Sequence, residues 1–269
     1  MKIRKINHFK FSKLKPIINI KNQTISNTNF TMIAGPCTIE NHEDLLTIVQ
    51  KLSKMGIKFF RGGAYKMRTS PYDFQGLGKK GLEIIKSVSD ETGMISVSEV
   101  IAPEDVALMK NYVDILQVGT RNMHNYRLLS KLGSIDNPVI LKRGMSSTIE
   151  EWLLAAEYII KAGNSKVILC ERGIRTYENY YRNTLDITSV PAIKELSNLP
   201  IIVDPSHSSG RKEMIKSLSW AAVAAGANGL LIETHFEPET TVCDSRQTID
   251  FDNLKQIRKK IDTIRSIWR

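Results

Sequence analysis

The chain has 269 residues, of which 42% are apolar, and 38 Lys and Arg against 28 Asp and Glu give it a formal charge of +10. This length and apolar content allow one sizeable core. The three widely spaced cysteines exclude a disulfide scaffold and a CxxC metal or redox motif. The positive charge indicates an anionic partner, which can be a nucleic acid, a lipid surface or a small phosphorylated substrate.

The chain opens with the basic stretch MKIRKINHFKFSKLKP, residues 1–16. No apolar block follows it, so we expect a solvated arm rather than a signal peptide. No later run approaches a membrane-spanning length, and with the sparse cysteines this favours a cytoplasmic protein without a membrane partner. Residues 1–30 are predicted to form an N-terminal extension, as an arm or a hairpin.

From residue 31 onward, short apolar runs rich in β-branched residues alternate with segments of helical periodicity. This alternation predicts repeated βα units on a parallel sheet. Eight strands close a barrel, so the sequence predicts an α/β protein with a single (β/α)8 TIM barrel over residues 31–269. The eight runs are TMIAGPC (31–37), IKFFRGG (57–63), ISVSEV (95–100), VDILQVG (113–119), PVILKRG (138–144), KVILCERG (166–173), PIIVDPSH (200–207) and GLLIETHF (229–236).

Three of the segments between these runs are strong helix candidates. DLLTIVQKLSKMG (44–56) ends at a glycine, and TIEEWLLAAEYIIKAG (148–163) has Ser147 or Thr148 as its candidate N-cap. MIKSLSWAAVAAGA (214–227) is apolar enough that we expect it to be buried. No composition shift or low-complexity tract interrupts the series, which predicts one domain.

Each of the eight runs ends in, or is closely followed by, a residue type that binds anions or metals. In a (β/α)8 barrel these strand ends converge on one face, where the active sites of such enzymes lie. Buried charges need partners, so the arginines and lysines need anions, while the carboxylates, the cysteine and the histidine need cations. A phosphorylated, carboxylated substrate plus a divalent metal would satisfy both sets. The residues are Cys37, Arg61, Glu99, Arg121, Lys142, Arg172, His207 and Glu233.

The stretch FRGGAYKMRTSP, residues 60–71, concentrates cations at the end of the second predicted strand. Arg61, Lys66 and Arg68 fall within eight positions and are followed by Thr69 and Ser70. Arginine gives bidentate geometry to phosphate or carboxylate, whereas lysine acts as a point charge. The stretch therefore indicates a ligand set with more than one anionic group.

Seven ordered motifs over about residues 31–250 resemble those of 3-deoxy-D-arabino-heptulosonate 7-phosphate (DAHP) synthases. The resemblance is to the short type I subfamily, which is related to 3-deoxy-D-manno-octulosonate 8-phosphate synthase. It implies condensation of phosphoenolpyruvate with erythrose 4-phosphate, the first step of the shikimate pathway towards the aromatic amino acids. The motifs are AGPCTIE, FRGGAYKMRTSPYDFQGLG, VGTRNM, LKRGMSSTIEEWLLAAEYI, ILCERGIRTYENYYRNTLDI, VDPSHSSGRK and IETHFEPE.

The resemblance implies a metal site built from a cysteine, a histidine, a glutamate and an aspartate. The matching positions are Cys37 in GPC, His207 in DPSH, Glu233 in IETH and Asp244 in VCDSRQ. A lone cysteine is more often a small buried hydrophobe, but the flanking Gly-Pro and the other three ligands favour the metal role. One thiolate, one imidazole and two carboxylates suit manganese, iron, cobalt, zinc or copper, so the identity of the single divalent ion stays open.

The resemblance also implies which side chains bind phosphoenolpyruvate. Lys66 is the expected proton donor to the alkoxide that forms, with His207 or a metal-bound water as alternatives, and Cys37 joins this catalytic set as a metal ligand. Glu99 is expected to orient the cations or a water. The cations expected to bind phosphoenolpyruvate are Arg61, Lys66, Arg121, Lys142 and Arg172.

The phosphate of erythrose 4-phosphate is expected to bind Arg68, Thr69 and Ser70, again from the resemblance. Met67 stands where the family usually has proline. The absence of proline frees a backbone torsion and adds an N–H to this loop. Arg68 and Thr69 favour the four-carbon sugar over the arabinose 5-phosphate of the octulosonate enzymes, which is the alternative function. Members of this type usually form dimers or tetramers, so a homo-oligomer is expected.

Two other functional classes compete with this interpretation. A Schiff-base aldolase would use Lys142 as its nucleophile, although the inferred anionic partners favour a charged lysine there. A basic nucleic-acid-binding protein would explain the pI near 9.4. That class predicts aromatic residues interleaved with basic ones, whereas many cations of this chain fall at strand ends, so we expect no nucleic-acid partner.

Overall fold

Eight parallel strands close into a barrel in the computed structural model, which describes residues 17–268. Each strand pairs with its neighbours in sequence, and the last pairs with the first from Gly229↔Thr31 to Glu233↔Gly35. The predicted (β/α)8 barrel is confirmed. The strands of the described residues are β1 (Ile18–Ile20), β2 (Gln23–Ile25), β3 (Thr31–Gly35), β4 (Phe59–Arg61), β5 (Ile95–Val100), β6 (Ile115–Val118), β7 (Val139–Lys142), β8 (Val167–Glu171), β9 (Ile201–Val203) and β10 (Gly229–Glu233), and β3 to β10 form the barrel.

Helices connect the barrel strands, and among residues 17–268 none is long and apolar enough to cross a membrane. All three predicted helix candidates are helical. The α-helices of the described residues are α1 (His42–Lys54), α2 (Lys79–Thr92), α3 (Val106–Met109), α4 (Tyr126–Leu132), α5 (Ile149–Lys161), α6 (Ser189–Leu196), α7 (Pro205–Ser209), α8 (Lys212–Ala224) and α9 (Phe251–Arg265).

Helix ends follow from capping side chains. Thr148 caps α5, since its Oγ1 accepts the Glu151 N–H at 3.1 Å while Glu151 Oε2 accepts the Thr148 N–H at 2.8 Å. Asn41 caps α1 through its Oδ1, which accepts the Asp44 N–H at 2.8 Å, and this helix starts before the predicted residue 44. Helix α8 departs from the expectation of burial, because only one side of it is buried, at Ile215, Ser219, Ala222 and Val223.

Side chains of the barrel strands alternate between two apolar layers. Phe60, Leu116 and Leu141 point outward and join the large cluster between barrel and helices. The inward-facing side chains fill the barrel interior as a second cluster, to which the strands contribute Ile33, Phe59, Ile95, Val97, Ile115, Ile140, Ile168, Cys170, Ile202 and Leu231. The barrel is therefore a packed core rather than a pore, and its polar chemistry is confined to the strand ends.

The hairpin of β1 and β2 covers the amino end of the barrel, with Ile18, Ile20 and Ile25 belonging to the interior cluster. Its turn is held by Lys21, whose Nζ lies 2.9 Å from Asp114 Oδ2. This hairpin falls within the predicted extension, and the predicted arm of residues 1–16 lies outside the described residues. The carboxyl ends of the strands, where the site residues are expected, lie at the opposite end.

Replacing Ile25 with alanine tests the role of the hairpin in stability. Ile25 is 1% exposed, so Ile25→Ala is expected to lower the free energy of unfolding by about 2–4 kcal/mol through lost burial and the cavity left behind. Urea unfolding followed by circular dichroism measures this. Ile17→Ala is the matched control, since Ile17 is 67% exposed, and equal effects of the two substitutions would contradict the packing role of the hairpin.

Candidate active site

A cavity opens at the carboxyl ends of the barrel strands, and most of the predicted site residues line it. Three of the others, Cys37, Arg61 and Glu233, are buried beneath it. Ser70 does not line the cavity either, since its Oγ accepts the Tyr72 N–H at 3.2 Å. The predicted residues in the cavity wall are Lys66, Arg68, Thr69, Glu99, Arg121, Lys142, Arg172, His207 and Asp244.

The four predicted metal ligands meet beside this cavity. One ligand atom from each of Cys37, His207, Glu233 and Asp244 can be chosen so that all lie within 4.8 Å of one another. Cys37 Sγ is 3.1 Å from Asp244 Oδ2, and His207 Nε2 is 3.2 Å from Glu233 Oε1. A thiolate, an imidazole and two carboxylates are all ligands that divalent transition metals accept, so these residues fit such an ion.

The chain positions these four side chains by different local means. Glu233 is the last residue of β10 and Cys37 follows β3, so the parallel sheet places both at one end. His207 lies in α7, which begins at Pro205 after the Asp204 cap. Asp244 has the left-handed torsion φ 59°, a conformation that aspartate adopts more readily than most residues.

A buried guanidinium supports the Glu233 carboxylate. Arg61 Nη1 donates to Glu233 Oε1 at 2.5 Å, and Arg61 Nη2 donates to the Cys37 carbonyl at 3.2 Å. Gln247 Nε2 donates to the other oxygen of Glu233 at 2.6 Å. Burial alone would raise the pKa of Glu233, but His207, Arg61 and Lys66 lower it below its ordinary value. Arg61, which the sequence placed among the substrate ligands, thus braces Glu233.

Lys66 lies between the ligand cluster and the open cavity. Its Nζ is 2.8 Å from Cys37 Sγ and 3.3 Å from Asp244 Oδ2. Burial alone would lower the pKa of Lys66, but Cys37, Glu233 and Asp244 raise it above its ordinary value. Lys66 is therefore a charged ammonium within reach of a group bound next to the cluster.

Arg172 is a buried cation without a buried anion to match. It is 4% exposed, and burial lowers its pKa to about 10. Within residues 17–268 no carboxylate oxygen lies within ion-pair distance of it, and it donates only to the Gly173 carbonyl, at 3.4 Å. Since a buried charge is costly without a partner, an anionic ligand beside Arg172 would satisfy it.

Lys142 and Arg121 add positive charge to the same cavity. Lys142 Nζ is 2.6 Å from the buried Asp204 Oδ2. Arg121 is exposed and its Nη2 donates to Thr69 Oγ1 at 3.0 Å. These contacts leave both cations facing the cavity with donors to spare, because an ammonium has three N–H groups and a guanidinium five.

The loop after β4 brings a further cation to the cavity. Arg68 donates through Nε and Nη2 to Asp73 Oδ2, at 3.1 and 2.9 Å, and its Nη1 lies 2.5 Å from Cys243 Sγ. Met67, at the usual proline position, also lines the cavity. The loop is fixed by the Lys66 N–H, which donates to the Gln75 carbonyl at 2.9 Å.

Three residues of the site were not singled out from the sequence. Asp204 was inside the quoted DPSH motif, where an aspartate before proline signals a helix cap. Arg182, in the cavity wall, donates through Nη1 to Gln247 Oε1 at 3.2 Å. Gln247 gives no sequence signal, because only the folded loop brings it to Glu233.

Residues 15–268 match the sequence model of the family described as DAHP synthetase I. The chain belongs to the DAHP synthetase I family. It is 52% identical over 241 residues to phospho-2-dehydro-3-deoxyheptonate aldolase of Thermotoga maritima, which covers 90% of this chain and 71% of that protein. It is 30% identical over 265 residues to 2-dehydro-3-deoxyphosphooctonate aldolase of Syntrophobacter fumaroxidans, covering 92% and 91%.

Solved structures of DAHP synthases share the fold. The crystal structure of the Thermotoga maritima DAHP synthase superposes with a TM-score of 0.91 at 49% identity, over 94% of this chain and 74% of that one. A truncated form of the enzyme from the same organism gives 0.87 at 46% identity, over 94% and 93%. The predicted family is confirmed, and with it the enzyme class, a DAHP synthase of aromatic biosynthesis.

The protonation of His207 makes a testable contribution to stability. Burial lowers its pKa from 6.5 to about 4, so between these pH values the unfolded state binds a proton that the folded state does not. The neutral His207 ring therefore contributes about 3 kcal/mol to the free energy of unfolding above pH 6.5, and this contribution is lost as the pH falls towards 4.

Urea unfolding between pH 7 and pH 4, with chelator present, measures this contribution. The free energy of unfolding of His207→Asn is expected to fall less steeply with decreasing pH than that of the wild type. His124→Asn is the matched control at an exposed histidine, and it is expected to keep the wild-type slope. A wild-type slope in His207→Asn would contradict a buried neutral imidazole.

Proposed function

We propose that the protein catalyses the metal-dependent condensation of phosphoenolpyruvate with erythrose 4-phosphate and water, giving DAHP and inorganic phosphate. The observation that carries this proposal is the buried Arg172 without an ion-pair partner in the wall of a cavity that adjoins a four-residue cluster able to hold a metal. Family membership supports the two substrates. The residue roles, the metal dependence and the choice of sugar are the proposed parts.

Phosphoenolpyruvate is proposed to bind among Arg172, Arg121, Lys142 and Lys66. Its phosphate and carboxylate together carry enough negative charge to match these cations, and Arg172 gains the partner that it lacks among the described residues. Arginine donates in a planar fork that suits phosphate and carboxylate oxygens. Neutralising the substrate in this way permits its C3 to act as a nucleophile.

Erythrose 4-phosphate is proposed to bind with its phosphate at Arg68 and Thr69. Arg121 Nη2 donates to Thr69 Oγ1 at 3.0 Å, so the Thr69 hydroxyl keeps its own hydrogen for a bond to a phosphate oxygen. The second phosphate is thus proposed to bind at the loop side of the cavity. The aldehyde of the sugar would then lie towards Lys66 and the metal-binding cluster.

The proposed reaction forms one C–C bond and one C–O bond, the latter from water, and breaks the C–O bond to phosphate. C3 of phosphoenolpyruvate attacks the aldehyde carbon, and Lys66 gives its proton to the aldehyde oxygen as the alkoxide develops. Water adds to C2 and loses a proton. The C2–O bond to phosphate then breaks while the new C2 hydroxyl gives its proton to the departing phosphate, which leaves a ketone at C2 and releases inorganic phosphate. The proton that the water loses replaces the one that Lys66 gave to the aldehyde oxygen.

Cys37, His207, Glu233 and Asp244 would hold the divalent ion. When bound, such an ion supplies Lewis-acid polarisation of a substrate oxygen or orients a water. Arg61 and Gln247 keep Glu233 in place from behind, so the carboxylate is positioned before any ion arrives. The ligand set leaves the identity of the metal open.

The contacts of Lys142 argue against a Schiff-base mechanism. An imine forms from an unpaired amine, whereas Lys142 Nζ is ion-paired with Asp204 at 2.6 Å. The paired ammonium suits an electrostatic role towards phosphoenolpyruvate. We therefore propose the metal-dependent route without a covalent enzyme intermediate.

Phosphate release by the purified protein tests the choice of sugar and the need for a metal. With phosphoenolpyruvate and a divalent metal, turnover is expected with erythrose 4-phosphate and not with arabinose 5-phosphate, because Arg68 and Thr69 suit the shorter sugar. EDTA is expected to abolish turnover, and added metal to restore it. Equal rates with the two sugars, or full activity in EDTA, would contradict the proposal.

Removing the Arg172 guanidinium tests its proposed role in binding phosphate. Arg172→Met is expected to raise the KM for phosphoenolpyruvate by about tenfold to a hundredfold, the loss of one charge-assisted interaction. Its free energy of unfolding should be unchanged or higher, because an unpaired buried charge is removed. Arg175→Met, at an exposed arginine of the same loop, is the control. An unchanged KM in Arg172→Met would refute the assignment.

A further inference from the structure

We infer that Asp204 is a positioning residue through which metal binding and phosphoenolpyruvate binding strengthen each other. One of its carboxylate oxygens is shared between His207, a proposed metal ligand, and Lys142, a proposed ligand of phosphoenolpyruvate. This inference rests on the proposed function for the identity of the two ligands. It concerns a residue that contacts neither of them in that proposal.

Asp204 is fully buried and is held by three hydrogen bonds. Its Oδ1 accepts the His207 N–H at 2.9 Å, which caps α7. Its Oδ2 accepts from the His207 ring at Nδ1, at 2.7 Å, and from Lys142 Nζ, at 2.6 Å. The carboxylate cannot turn towards one of these donors without weakening its bond to another. Two functional side chains therefore depend on the position of one oxygen atom.

The contact with Asp204 decides which nitrogen of His207 is available to a metal. Because Nδ1 faces a carboxylate, the hydrogen of the neutral ring lies on Nδ1 and the lone pair on Nε2. Nε2 faces the ligand cluster, 3.2 Å from Glu233 Oε1. Carboxylates that accept from a metal-binding histidine in this way fix its tautomer and its ring orientation, and their loss typically weakens metal affinity by about 10- to 100-fold.

The same oxygen also holds the Lys142 ammonium at the cavity wall. Lys142 is 4% exposed and lines the cavity beside Arg172. An ammonium has three N–H donors, so it can bond to Asp204 and to a substrate anion together. The strength of the Asp204 bond sets how strongly Lys142 can be drawn towards that anion. Asp204 thus positions Lys142 and also competes with the substrate for it.

The sign of the coupling follows from the shared acceptor. A cation on Nε2 withdraws electron density from the imidazole ring, which makes Nδ1–H a stronger donor to Asp204. The bond between the Asp204 carboxylate and Lys142 then becomes weaker, and Lys142 binds a substrate anion more strongly. By linkage, phosphoenolpyruvate must tighten metal binding by the same factor as the metal tightens phosphoenolpyruvate binding.

Calorimetry and cobalt absorption measure this coupling without turnover, because the sugar phosphate is left out. Phosphoenolpyruvate is titrated into metal-free and Co²⁺-loaded protein, and Co²⁺ is titrated with and without phosphoenolpyruvate. The wild type is expected to show a coupling of at least about fivefold in both directions. In Asp204→Asn, metal affinity is expected to fall by about tenfold or more, and the coupling factor to fall by at least half.

Two further variants separate positioning from folding. Asp204→Ser keeps an N-cap acceptor for α7 but removes the shared oxygen, so it is expected to lose coupling as Asp204→Asn does. Asp114→Asn is the matched control, because Asp114 accepts from Lys21 and from Ser96 at the amino end of the barrel. It is expected to lower stability while both affinities and the coupling stay at wild-type values.

The outcomes distinguish this inference from the proposed function. If phosphoenolpyruvate does not bind the wild type, the proposed function fails. If both ligands bind but Asp204→Asn or Asp204→Ser keeps wild-type affinities and coupling, the role of Asp204 is refuted. Should neither variant fold, the NMR resonance of the His207 Nδ1–H in the metal-free wild type tests the role of Asp204 instead. A downfield shift on adding phosphoenolpyruvate supports the inference, and no shift or an upfield one overturns it.

Discussion

Compensation of buried charge is the constraint on which the active end of the barrel depends. The interior below is filled with aliphatic side chains, so ionised groups at the strand ends have little water to solvate them. Most of them are paired with each other, as Arg61 is with Glu233 and Lys142 with Asp204. Among the buried charged residues that the structure describes, Arg172 is the exception. An anionic ligand beside it is part of the proposed function.

These pairs do more than cancel charge, because they join the residues of the site into one network. Glu233 is held by Arg61 and Gln247, and Gln247 also accepts from Arg182 in the cavity wall. Substitution of a single member is therefore expected to affect distant members of the network, and effects in this region should not be additive. The rigid barrel makes this arrangement possible, since each strand end is fixed before any ligand binds.

The strand ends of a (β/α)8 barrel converge on one face, and this rule predicted much of the site from the sequence. It needs only the order of the apolar runs and the residue that follows each. It gathered Arg121, Lys142 and His207 on one face without any tertiary information. It could not tell which charges pair, so the ion pair of Arg61 with Glu233 is known only from the structure. Asp244 follows no strand and came only from the family resemblance, while the role of Gln247 depends on a loop conformation that no local pattern encodes.

The hairpin at the amino end has a consequence for how ligands come and go. It closes the barrel opposite the cavity with Ile18, Ile20 and Ile25, so in the described structure the site is reached from one side. In the proposed reaction the two phosphorylated substrates, the phosphorylated product and inorganic phosphate must therefore use a common opening lined by the same cations. The closed amino end therefore constrains the order in which anions enter and leave, since none can leave through that end.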